Sequence, residues 1–139
     1  MMSRLVKITM TSMAILLIAA ITLLIIVLNV DRDDGDRELT IDEIVEYSYE
    51  TPEITTDLND GTFVRVQFHI VTDGKEAHEE VSKRDFQLVN ILIKELAVMN
   101  EEDFKEGLTE LETAIKDRLN EVMTEGTITD VYTINKILQ

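Results

Sequence analysis

The sequence predicts an α+β domain of β-β-α-α-β order, with helices packed on a small sheet, carried by a single N-terminal transmembrane helix. Three observations predict it. Residues Ile8 to Val30 contain no charged residue, no Gly and no Pro. Residues 62–72 alternate strictly, with Val64, Val66, Phe68 and Ile70 on one face and Arg65, Gln67 and His69 on the other, which is the period of a half-buried strand. Beyond Lys75 the apolar spacing changes to three and four residues, the period of a helix, before a β-branched run from Thr127 to Leu138.

The apolar stretch is long enough to cross a bilayer. At about 1.5 Å per residue it measures roughly 35 Å as a helix, against a hydrocarbon core of about 30 Å. Arg4 and Lys7 precede it without any acid, whereas Asp31 to Glu38 carries five acids and two bases. Positive flanks stay inside, so residues 1–7 are expected to be a cytoplasmic head and the rest of the chain extracytoplasmic. Residues 8–30 read as an uncleaved signal anchor. The run exceeds the roughly 7–15 apolar residues of a cleaved signal peptide, and Leu28-Asn29-Val30 offers no small-x-small cleavage pattern. The span holds no ionisable residue to mark an ion path and no pair of small residues four apart to pack a helix dimer. It is an anchor in the lipid bilayer.

Residues 31–39 read as an acidic tether. They resemble a calcium loop only superficially, because the glycine falls one place too early for the EF-hand pattern. Residues 40–52 form a juxtamembrane helix. Thr40-Ile41-Asp42-Glu43 is a capping box, Leu39 and Ile44 can staple it, and Pro52 biases Thr51 out of helical dihedrals. Ile41, Ile44, Val45 and Ser48 share one face, which either packs on its own domain or docks on another subunit or membrane protein.

Residues 53–139 are the extracytoplasmic α+β domain. Ile54–Leu58 is a short strand, and Asn59-Asp60-Gly61 supplies hairpin chemistry before the alternating strand. Asp73-Gly74-Lys75-Glu76 is a second capping box opening one long helix, whose apolar side comprises Val81, Leu88, Val89, Ile91, Leu92, Leu96 and Met99. Its first, charged turns are expected to project beyond the core. Asn100 caps a short turn. Thr109-Glu110-Leu111-Glu112 is a third capping box, opening a helix with Leu108, Leu111, Ile115, Leu119 and Val122 on one side. Gly126 is its expected C′ stop.

Composition excludes several classes of function. All 28 acids lie beyond residue 30 with 11 of the 13 bases, a formal charge of −17 on the outer part. Such a field repels nucleic acid and anionic headgroups. There is no cysteine, so disulfides, thiolate metal sites and cysteine catalysis are absent. His69 and His78 lack the convergent spacing of a zinc site, Ser48 and Ser82 lie outside any nucleophile elbow, and the five glycines form no phosphate loop. The sequence points to no catalytic residue, no cofactor and no metal. A protein that is not an enzyme is the reading, and its rival is a membrane-tethered small-ligand binding or sensor module, which would need a deep apolar pocket with convergent polar groups.

The segments TIDEIVEYSYETPEITTDLNDGTFVRVQFHIVTD (Thr40–Asp73), KRDFQLVNILIKEL (Lys83–Leu96) and EGTITDVYTINKILQ (Glu125–Gln139), in this order behind an N-terminal anchor, resemble the flagellar basal-body-associated FliL family. The resemblance implies a single-pass protein of the bacterial cytoplasmic membrane, sited at the flagellar basal body and needed for swimming, swarming and chemotaxis. It implies an outer domain of the stomatin/prohibitin (SPFH) type that forms homo-oligomeric rings. It also implies association with the ion-driven stator, above all its B-type subunit, in favour of the torque-generating state. No catalytic residue comes with the family. By analogy, Ile41, Ile44, Val45 and Tyr47 are candidates for contacts near the membrane. Lys75, Glu76, Glu79, Glu80, Lys83 and Arg84, with the second helix, are candidates for subunit contacts. Because like-charged domains repel, assembly is expected to alternate charge across the interface or to need the anchor.

Overall fold

The computed structural model describes residues 3–30 and 38–139, so residues 31–37 of the expected tether lie outside the described residues. The chain divides into two compact units, Met1–Glu38 and Leu39–Gln139.

The first unit is one helix, α1 (Arg4–Val30). It begins four residues before the apolar run, since Arg4 and Lys7 are themselves good helix formers. Among the described residues it is the one helix long and apolar enough to cross a membrane. Its hydroxyls turn back on their own helix: Thr11 donates to the Ile8 carbonyl at 2.9 Å and Thr22 to the Ile18 carbonyl at 2.5 Å. Back-bonding of this kind satisfies these hydroxyl donors without water.

The second unit is built around one strand. Its elements are α2 (Ile41–Glu46), β1 (Tyr49–Glu50), β2 (Ile54–Asp57), β3 (Phe63–Thr72), α3 (Lys75–Lys83), α4 (Asp85–Ala97), α5 (Glu101–Glu106), α6 (Leu108–Val122) and β4 (Ile128–Leu138). Strand β3 is central, and every pairing is antiparallel. β2 pairs with its first half and β1 with its last residues along one edge, while β4 runs the length of the other. Between β1 and β2 the edge is interrupted at Thr51-Pro52. There the buried Thr51 replaces the lost ladder, its amide donating to the Phe68 carbonyl at 2.9 Å and its hydroxyl accepting the Phe68 N–H at 3.0 Å.

The alternation in β3 is borne out. Val64, Val66, Phe68 and Ile70 are at most 1 % exposed. They pack with Val81, Leu88, Leu92, Leu96, Phe104, Leu111, Ile115 and Leu119 in one core, so the helices cover a single face of the sheet. The other face stays open, with Phe63 and Tyr132 more than half exposed. Burying about 25 cal/mol per Å² of apolar surface is what holds an uncrosslinked domain of this size together.

Several expectations need correction. The long helix from Lys75 is two helices, broken at Arg84 (φ −93°, ψ 17°). Strand β1 is an addition to the expected order. Its Tyr49 hydroxyl donates to Asp85 at 2.5 Å, bolting this short edge to the start of α4. Burial first, and then the bond to and the charge of Asp85, push the Tyr49 hydroxyl up to about 12. The capping box at Thr40 forms, as does the cap at Asn100, with Asp103 completing a box there. The other two do not. Gly74 is the N-cap residue of α3 and Gly107 that of α6, neither with a side-chain cap, because distant partners claim the expected residues. Asp73 accepts from the Thr127 hydroxyl at 3.0 Å, and Glu112 accepts the Thr133 N–H and hydroxyl at 2.8 and 2.9 Å. With Asn120, which accepts the Ile128 N–H at 2.8 Å and donates to the Ile128 carbonyl at 2.9 Å, Glu112 covers the outer edge of β4 that would otherwise be free to pair. α6 ends at Val122 on an extended Met123, so Gly126 is not its C′ residue. It lies in the turn that follows.

Candidate interaction surfaces

Helix α2 has only six residues, too few to persist alone in water, and three contacts hold it. The Thr40 hydroxyl accepts the Glu43 N–H at 3.3 Å while Glu43 accepts the Thr40 N–H at 2.9 Å. At its other end the Thr72 hydroxyl, fully buried, sits 2.6 Å from the Tyr47 carbonyl and 3.0 Å from the Gly74 carbonyl. That one side chain therefore joins the end of α2 to the start of α3. Ile44 and Tyr47 are part-buried, whereas Ile41 and Val45 are 71 % and 62 % exposed. Of the expected face, Ile44 and Ser48 turn toward the domain and Ile41 and Val45 do not.

The charged residues of α3 divide in the same way, and the expectation that these turns project beyond the core is overturned. Ala77 and Val81 are fully buried. Lys75, Glu76, Glu79 and Lys83 are exposed, with Lys75 and Glu79 3.9 Å apart, a surface pair of small worth. Glu80 and Arg84 face inward. The Glu80 carboxylate accepts the Thr124 N–H at 3.0 Å, the Thr124 hydroxyl at 2.9 Å and the Glu125 N–H at 2.5 Å, and pairs with Arg84 at 2.7 Å. It clamps α3 to the turn after α6, a structural duty rather than a free contact.

Desolvation raises the Glu80 pKa, but the Glu125 N–H, Arg84 and Thr124 outweigh it and hold the carboxyl at about 2. A folded pKa below the unfolded one means stability complete above about pH 5 and lost as pH falls through the unfolded value toward the folded one. Glu80→Gln should therefore lower the urea midpoint of the outer unit at pH 7 and flatten its decline from pH 5 toward pH 2. An unchanged slope in the variant would assign the acid sensitivity to other carboxylates.

The histidines also separate. His69 is part-buried on the open sheet face, opposite Glu50 and Tyr132. His78, expected on a solvated turn, is half-buried, and its Nδ1 has no hydrogen-bond partner. Among the described residues no cluster of His, Asp or Glu could hold a metal ion.

Apolar residues that sequence reasoning passed over and that are exposed include Phe63, Phe86 at 72 % and Val98 at 70 %. The helical period places both Phe86 and Val98 off the Leu88–Leu92–Leu96 side of α4. These positions and the Ile41–Val45 side of α2 are apolar surface open to solvent.

Residues 48–139 match the family described as "Flagellar basal body-associated protein FliL". The chain is 32 % identical over 115 residues to "Flagellar protein FliL" of Bacillus subtilis (strain 168), a match covering 81 % of this chain and 82 % of that protein. With two thirds of the chain inside the family match and the likeness extending across most of both proteins, the chain belongs to the FliL family of flagellar basal body-associated proteins.

Proposed function

We propose that this chain is a membrane-anchored, non-enzymatic accessory protein of the flagellar basal body, whose outer unit assembles with copies of itself and contacts the ion-driven stator. Family membership supports the basal-body role. The observation that carries the contact is α2: a capped helix just beyond an apolar span, offering Ile41 and Val45 to solvent. In this reading α1 spans the cytoplasmic membrane with its N-terminus inside, residues 31–39 tether, and residues 53–139 stand outside in a ring of the stomatin/prohibitin type. Ile41, Ile44, Val45 and Tyr47 meet the stator's B-type subunit or a neighbouring copy. Lys75, Glu76, Glu79 and Lys83 serve subunit contacts, with Glu80 and Arg84 supporting them from within. Swimming, swarming and chemotaxis depend on it through the motor.

A ring multiplies weak contacts because each further site acts at high effective concentration. It can favour the torque-generating state only by binding that state better than the other. The burial of Ile44 and Tyr47 makes Ile41 and Val45 the positions from which to test the contact. A photocrosslinking residue at either, in motile cells, should yield an adduct with the stator B-type subunit or with a second copy. Absence of both adducts would overturn the α2 contact.

A further inference from the structure

Where α4, α5 and α6 meet, the outer unit holds an open groove of about 520 Å³. Its apolar lining includes Met99 and Leu111, with Val98 exposed at the lip. Glu102, Glu106 and Glu110 stand around it, and no Lys or Arg lines it. These three carboxylates are exposed, and no hydrogen bond or ion pair engages them among the described residues. Two further acids in the lining already have partners. Glu95 has Arg118 at 3.4 Å and Asp103 the Asn100 N–H at 3.1 Å.

The groove is held open by the β2–β3 hairpin. Asn59 donates its side-chain amide to the Val98 carbonyl at 3.1 Å and its backbone N–H to the Met99 carbonyl at 2.9 Å. Asp60 accepts the Glu101 N–H at 2.9 Å. The walls are thus fixed by a turn remote in sequence.

An apolar floor inside a single-signed rim selects an occupant that is apolar and cationic at once. Nucleic acid and anionic lipid are repelled by the rim. A second copy has little to offer, because apart from the central β3 no helix or strand of residues 39–139 carries net positive charge. We propose that this groove docks a basic amphipathic helix of a partner protein, its apolar residues over Val98 and Leu111 and its Lys or Arg side chains among Glu102, Glu106 and Glu110. This is the helix-in-groove mode of recognition. It rests on the groove alone and does not depend on the α2 contact.

The test uses the full chain in nanodiscs of zwitterionic lipid, with empty discs as the blank. The probe is a short fluorescein-labelled Leu/Lys amphipathic helical peptide, and the control is a Ser/Lys peptide of the same charge. The Leu/Lys peptide should bind saturably, and Glu106→Lys with Glu110→Lys should weaken it at least about tenfold, some 1.4 kcal/mol. The matched reversal Asp57→Lys with Asp130→Lys, on β2 and β4, should leave binding within about twofold, well under that. Equal binding of the Ser/Lys peptide, or equal loss in both reversed pairs, would mean diffuse charge attraction and overturn the proposal. A photocrosslinking residue at Val98, which keeps every acid, gives an independent reading should a reversed pair fail to fold. An adduct with the Leu/Lys peptide is expected, and its absence also overturns the proposal.

Discussion

Phe104→Ala should cost the outer unit about 3–5 kcal/mol, the range for deleting a large buried aromatic side chain. Phe104 is the sole buried residue of α5 and is fully inaccessible. A six-residue helix contributes almost nothing by propensity, so this ring is what seats α5 against the core. Lys136 lies 5.6 Å above the ring centroid, a contact worth about 0.5–1 kcal/mol at an exposed site. A domain of this size has about 5–15 kcal/mol of stability in all, so the loss takes a large share without abolishing the fold. Urea unfolding in mild detergent should show the lower midpoint, and amides of residues 101–106 should exchange faster than the rest. A loss below about 1 kcal/mol would mean that the site collapses around the missing ring and that α5 is held by its Asn100 cap instead.

Legibility followed the range of the interaction that decided each feature. The apolar N-terminal helix, the hairpin and the buried face of β3 are written in local pattern, and each is present. The cap at Thr40 is local too, and forms. The break at Arg84 left no mark in the pattern: Ala77, Val81, Leu88, Leu92 and Leu96 keep to one helical face straight through it. The failed capping boxes are failures of range. Asp73 and Glu112 have the right local spacing, but Thr127, 54 residues on, and Thr133, 21 residues on, claim them. The same holds for the surfaces. The exposed pair on α2 is visible as a stripe, whereas the groove at Val98 is pinned by Asn59 and Asp60 of the β2–β3 hairpin, far off in sequence. No window of sequence around α5 contains that information.

Gly126→Ala should cost about 2–6 kcal/mol, and the reason is where two elements come closest. Gly126 has φ +70°, a conformation that costs a residue with a Cβ about 1–3 kcal/mol. Its environment adds to this. A Cβ there would lie 2.5 Å from Asp73 Oδ1 and 2.8 Å from the Ala77 Cβ. Asp73 could swing aside only by giving up the Thr127 hydroxyl, and Ala77 is fully buried on α3. Overpacking of that kind costs about 1–3 kcal/mol. The comparison that separates the two effects is Gly61→Ala: Gly61 has φ +84° but nothing within 4 Å of a Cβ, so it should lose only the backbone share. If both variants lose the same stability in urea unfolding, the contact with α3 is soft. If Gly126→Ala loses about 1–3 kcal/mol more, that close approach, together with the Glu80 clamp beside it, fixes how the turn after α6 lies on α3 and so where β4 begins its run along β3.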